Sequence, residues 1–150
     1  ISIMALNHNF IAKNSIIIAA SPEAIWDALT NPAKIKIYLF GTETITDWKV
    51  GSPIIFQGEY EGSHYKDKGV VLTHEPLKNL TYSYWSGFSG LEDREENYAR
   101  VSYLLKSLGK NQTELTWHQA GFANEENQVH TQNGLPTLLE QIKNLAEAKP

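Results

Sequence analysis

Six stretches rich in β-branched and aromatic residues follow one another between Thr42 and Gln119, and most of the breaks between them can hold only a turn. They run from Thr42 to Asp47, Pro53 to Tyr60, Lys66 to Glu75, Asn79 to Trp85, Asn97 to Lys106 and Thr113 to Gln119. Four connections, Lys49-Val50-Gly51-Ser52, Glu61-Gly62-Ser63-His64, Pro76-Leu77-Lys78 and Leu108-Gly109-Lys110-Asn111, carry turn-forming residues. A parallel crossover needs about a dozen residues or more, so these strands are expected to form an antiparallel meander. Alternation then assigns faces. Leu80, Tyr82 and Tyr84 share one side of their strand, as do Val101, Tyr103 and Leu105, and Leu115 and Trp117, and these sides are expected to look toward the core.

An isoleucine-rich strand from Phe10 to Ala20 precedes the meander, after an irregular lead-in over residues 1 to 8. At Ser21-Pro22-Glu23 a serine can cap free N–H groups, proline fits the first helical position and glutamate suits the positive end of the helix dipole. The helix that follows carries Ile25, Trp26 and Leu29 on one stripe and stops at Thr30-Asn31-Pro32. The same cap-plus-proline pattern starts a second short helix through Tyr38.

Of sixteen aromatic residues, fourteen fall between Tyr38 and Phe122, and the last 28 residues hold none. Beyond that shift Leu135, Leu138, Leu139, Ile142 and Leu145 recur at helical spacing, a stripe wide enough to bury against a sheet. Asn124, followed by Glu125 and Glu126, resembles a helix start, and Pro136 inside the helix is expected to kink or locally break it. The expectation is one α+β domain over residues 1–150, with a C-terminal helix covering the tyrosine-rich face of the sheet.

At 150 residues the chain can remove roughly 70% of its unfolded surface from water, so it needs no covalent staples. It has no cysteine, which excludes disulfides, thiolate metal sites and cysteine nucleophiles. The net charge of −4, with lysines scattered singly, argues against nucleic acid as a partner. The longest apolar run, Ile16 to Ala20, is far below the roughly 20 residues that span a bilayer, and no leader-like segment precedes it. A cytoplasmic protein without a membrane span is expected.

His8, His64, His74, His118 and His130 show no H-x-x-x-H or H-x-H pairing, so no metal site is assigned. The acidic run Glu92, Asp93, Glu95 and Glu96 lies with Arg94 between two strands, beside Ser86, Gly87, Ser89 and Gly90. It reads as a solvated loop, long enough to gate a pocket mouth, rather than an acid/base dyad. No G-x-S-x-G elbow and no phosphate-binding glycine pattern is present, so no catalytic residue and no cofactor are assigned. The aromatics carry the strongest signal. Tyr82, Tyr84 and Tyr103 on inward faces would each need a hydrogen-bond partner, which suits a partly hydrated, amphipathic ligand site better than a dry core. Phe56 and Trp117 join them as candidate walls. Gly134 shares a helical face with Leu138, Ile142 and Leu145, and either leaves space there or permits close helix-to-strand packing.

Several segments together resemble the activator of heat-shock-protein-90 ATPase homologue family of the START-like (SRPBCC) superfamily. They are Ser21-Pro22-Glu23-Ala24-Ile25-Trp26-Asp27-Ala28-Leu29-Thr30, Asp67-Lys68-Gly69-Val70, Glu75-Pro76 with Leu80 and Tyr82, Trp85-Ser86 through Ser89-Gly90 to Glu96-Asn97-Tyr98, and Gly134-Leu135-Pro136 with Leu139. The resemblance covers about residues 13 to 147. It implies a helix-grip fold, a curved antiparallel sheet wrapped around a long C-terminal helix, with two short helices after the first strand and a cavity between sheet and helix. Family members often carry tryptophan after the glycine of the last helix; Leu135 stands there in this chain and bears on the size and shape of the cavity.

The expected ligand-binding set is therefore Phe56, Tyr82, Tyr84, Tyr103, Trp117, Leu135 and Leu138, and the expected function is a non-enzymatic carrier or sensor of a small hydrophobic or amphipathic molecule. The resemblance implies two alternatives. One is a co-factor that activates the ATPase of a chaperone, heat-shock protein 90, with a place in the stress response. The other is an enzyme of the polyketide cyclase or aromatase kind.

Overall fold

The computed structural model describes residues 5–148. Strand β1 (Asn7–Ile18) leads into helices α1 (Pro22–Thr30) and α2 (Pro32–Tyr38). Strands β2 (Glu43–Ile45), β3 (Pro53–Tyr60), β4 (Ser63–Glu75), β5 (Asn79–Tyr84), β6 (Ala99–Gly109) and β7 (Gln112–Phe122) follow, and α3 (Glu125–Glu147) is the last element among the described residues. All seven strands form one curved antiparallel sheet in the order β1-β7-β6-β5-β4-β3-β2, gripping α3 on its inner face. The meander accounts for every neighbour except one: β1 closes the sheet beside the last strand, which makes it an edge.

That edge is covered by the helix. The side chain of Gln132 donates to the Lys13 carbonyl and accepts from the Lys13 N–H, both at 2.9 Å. Gln128 donates to the Ile11 carbonyl at 2.9 Å, and the Glu147 carboxylate accepts from the Ala19 N–H at 2.7 Å. These bonds satisfy backbone groups that an edge strand otherwise leaves open, and they fix how α3 lies across the sheet. Aliphatic burial completes the attachment: Ile18, Ile25, Leu29, Leu115, Leu139 and Ile142 are each no more than 2% exposed.

The helix starts follow from their caps. Ser21 accepts from the Ala24 N–H, Asn31 from Ala33 and Asn124 from Asn127, with Pro22 and Pro32 in the first turns of α1 and α2. Pro136 does not break α3, which runs continuously from Glu125 to Glu147. The proline ring lies on the exposed side, while buried Leu135, Leu139 and Ile142 hold both halves of the helix to the protein.

Several boundaries differ from the sequence reading. β1 begins at Asn7, so two of the residues expected to be irregular are already in the strand, while residues 1–4 lie outside the described residues. Ser63 and His64, expected in a turn, pair with Tyr60 and Glu59. The turn shrinks to Glu61 and Gly62, whose φ of 49° and 82° are the left-handed pair that a type I′ two-residue hairpin requires. β2 keeps only three residues of the expected six, Glu43–Ile45, which pair with Gln57, Phe56 and Ile55 of β3.

At one point the sheet leaves no room for a side chain. A Cβ on Gly69 would sit 1.6 Å from the Ser83 carbonyl oxygen. There the β4–β5 register shifts between Val71 and Thr73, and Lys68 pairs with Trp85 beyond it. This close approach aims the inner residues of β4 and β5 at the space beside α3.

Candidate functional site

Sheet and helix do not meet along their whole length, and the gap between them is a cavity of about 660 Å³. Phe56 from β3, Tyr82 and Tyr84 from β5, Tyr103 from β6 and Trp117 from β7 wall its sheet side. Leu138, with Asn127, His130 and Thr131 from the preceding turns of α3, forms the helix side. Trp85, Ser86, Phe88, Ser89 and Asn97 close one end.

Register explains the sheet wall. Tyr82 faces Val101 across the β5–β6 ladder and Tyr103 faces Trp117 across β6–β7, so inward residues of neighbouring strands stand side by side. The Phe56 ring lies 5.3 Å from that of Tyr82 and 5.8 Å, edge to face, from that of Tyr84, within the range of favourable aromatic pairing. Burial pushes the phenols of Tyr82 and Tyr103 up, Tyr103 to about 12, so both remain neutral hydroxyls over the ordinary pH range.

Leu135 is placed elsewhere. It is 2% exposed and packs in the aliphatic core, and it is not among the residues lining the cavity. On a helix of about 100° per residue, Leu135 and Leu139 point about 40° apart, whereas Leu138 is turned about 60° from Leu135 and about 100° from Leu139, toward the gap. Gly134 lies one turn before Leu138, and a Cβ built on it meets nothing within 4 Å. Gly134 is exposed and is not among the residues lining the cavity, so its missing side chain does not serve close helix-to-strand packing.

The end-closing loop is tied down. The Trp85 indole donates to the Leu91 carbonyl at 3.2 Å, and Asn97 donates to the Glu92 carbonyl at 2.9 Å while accepting from the Leu6 N–H at 3.1 Å. Outside, Asp93 accepts the Tyr98 hydroxyl and pairs with Lys68, both at 2.5 Å. The acidic run is thus a loop held by its own side chains. Among the described residues no group of three or more His, Asp or Glu is placed to hold a metal ion.

Asp67 was not picked out as a site residue, although it lies directly opposite Phe56 in the β3–β4 ladder and lines the cavity. It is 7% exposed. Oδ2 accepts the Tyr84 hydroxyl at 2.5 Å, and Oδ1 has no hydrogen-bond partner. Burial and, next, the adjacent carboxylate raise the Tyr84 pKa, which keeps it a donor. The sequence signal was available: Asp67, Gly69 and Val71 alternate onto one face, and a carboxylate there is a charge on a core-facing position.

A family model for "Activator of Hsp90 ATPase homolog 1-like protein" matches residues 19–147. No curated protein sequence matches significantly. Among solved structures, a protein from Cytophaga hutchinsonii is 39% identical with a TM-score of 0.78, over 91% of this chain and 93% of that one. Two more distant structures share the fold. An HSP90 activator from Plasmodium falciparum is 17% identical with a TM-score of 0.70, over 90% of this chain and 94% of that one. The Aha1 dimer from Colwellia psychrerythraea is 19% identical with a TM-score of 0.70, over 91% and 96%. With the family model spanning both short helices, the meander and the whole of α3, this chain belongs to the Activator of Hsp90 ATPase homolog 1-like family.

Proposed function

We propose that the protein binds a small hydrophobic or amphipathic molecule between sheet and α3 and acts as a carrier or sensor rather than an enzyme. One observation carries this reading: buried tyrosines wall an unfilled space of about 660 Å³ instead of packing against the helix. That volume falls within the range of small-molecule sites, and the lining combines aromatic faces with a few polar tips. A dry core would be expected to fill such a space, since empty volume forfeits dispersion contacts. The test is titration with an environment-sensitive hydrophobic fluorophore. One saturable site per chain is expected, with stabilisation by about 2.7 kcal/mol at a hundredfold excess over Kd. Truncation of Tyr82 or Tyr103 should weaken it more than any surface charge change. Absence of saturable binding to the folded protein overturns the reading.

A second reading follows from the family itself, whose name and whose relative from Plasmodium falciparum point to HSP90 activation. In that case the chain acts through its surface. Charge reversal at exposed lysines and acids would lower stimulation of the chaperone's ATPase and make it more salt-sensitive, while the fluorophore would change little.

A further inference from the structure

We infer that the cavity selects a ligand with a positively charged amine or ammonium head, held by the Asp67 carboxylate among aromatic faces. This rests on the reading of the cavity as a ligand site and names the chemistry that site accepts. Asp67 is 93% buried, yet one carboxylate oxygen has no partner and the other has only the Tyr84 hydroxyl. Among the described residues no lysine, arginine or histidine lies within ion-pair reach of it, and the neighbouring Lys68 turns outward to Asp93. No lysine or arginine lines the cavity at all. A buried carboxylate without a counter-charge is costly, and a cation supplied by the ligand removes that cost.

The surroundings favour the same sign. Phe56 stands opposite Asp67 in register, its ring in contact range of Tyr82 and Tyr84. Tyr65 follows the same inner face of β4, with its ring 6.1 Å from that of Phe88. Aromatic faces attract cations through their quadrupoles, and they do so most strongly where water is excluded. An anionic head would face Asp67 with nothing to neutralise it, and an ether or ester head would bring no donor to Oδ1. Leu138 and Val101 offer apolar surface for the rest of the molecule.

The experiment compares decylamine, decanol and decanoate, each below its micelle concentration, by titration calorimetry at neutral pH. They share one chain and differ in head charge. Decylamine is expected to bind about tenfold or more tighter than decanol, the equivalent of one charge-assisted hydrogen bond, and decanoate weakest. Asp67→Asn should abolish the preference for the amine, so that decylamine and decanol bind within about twofold of each other. If that variant does not fold, Tyr84→Phe serves instead: it frees Oδ2 without removing the charge, and the preference for the amine should persist or widen. Equal binding of amine and alcohol by the wild-type protein, an Asn variant that still prefers the amine, or loss of the preference in Tyr84→Phe overturns the inference and leaves the cavity reading standing. Failure of all three ligands to bind overturns both.

Discussion

The two ends of the sheet–helix interface are built from the same elements and come out differently. On β7, Leu115 is fully buried in the aliphatic core, while Trp117, two residues on and on the same face, borders the cavity. On α3, Leu139 is 1% exposed and its neighbour Leu138 looks into open space. Where the chain places aliphatic side chains on both layers, the layers meet. Where it places tyrosines on the sheet, across from Leu138 on the helix, they stay apart. The fold therefore supplies a grip, and residue choice at each position decides whether the grip is closed by protein or left for a ligand.

The sharpest way to break this comparison is truncation of adjacent leucines. Leu139→Ala should cost about 2–5 kcal/mol, because the cavity it leaves is walled by well-packed neighbours. Leu138→Ala should cost under about 1.5 kcal/mol, since its side chain is only half-buried, and should instead weaken fluorophore binding. Chemical denaturation measures both. Equal losses would mean that the interface is closed along its whole length.

Alkaline titration probes the tyrosine end from another side. Tyr103 titrates at about 12 in the folded protein against an ordinary value of 10.0, because burial disfavours the phenolate. The unfolded chain therefore loses that proton first as pH rises. Stability is intact below about pH 10 and falls between 10 and 12, by on the order of 3 kcal/mol for this one group. Tyr103→Phe should flatten part of the fall. Burial raises the Tyr38 and Tyr82 phenols as well, so a residual slope should remain. A variant that follows the wild-type pH profile throughout would show that Tyr103 is already hydrated.

Leu135→Trp introduces the residue that the family resemblance implies after the glycine of the last helix. Leu135 lies in the closed half, so an added indole should overpack it and cost about 1–3 kcal/mol. A melting temperature that is unchanged or higher would place Leu135 functionally at the cavity after all.

How far the sequence reached follows the same division. Caps at Ser21, Asn31 and Asn124, the short connections and the alternation on β5 to β7 are local signals, and the helix starts and strand faces came out as read from them. Six of the seven candidate side chains do surround one space, because strand parity and helical spacing decide direction. Leu135 escaped because a stripe five leucines and isoleucines wide faces two environments, and periodicity gives the stripe's centre rather than the boundary between them. Asp67 escaped for a different reason. Its significance lies in what does not contact it, and no pattern along the chain reports a missing partner.

The smallest effect asks whether the exposed side of α3 next to the cavity wall is as uncovered as Gly134 shows it. Glycine within a helix is less favourable than alanine by about 1 kcal/mol, so natural helices keep one where a side chain would collide or a gap is wanted. At Gly134 nothing lies within 4 Å of a built Cβ, and the backbone is ordinary helix. Gly134→Ala should therefore stabilise the protein by roughly 0.5–1 kcal/mol, read as a higher denaturation midpoint with an unchanged slope. Gly134 does not line the cavity, so fluorophore affinity should stay nearly constant. Destabilisation would mean that Gly134 is covered in solution, and that α3 sits closer to its neighbours at this turn than the open half of the comparison requires.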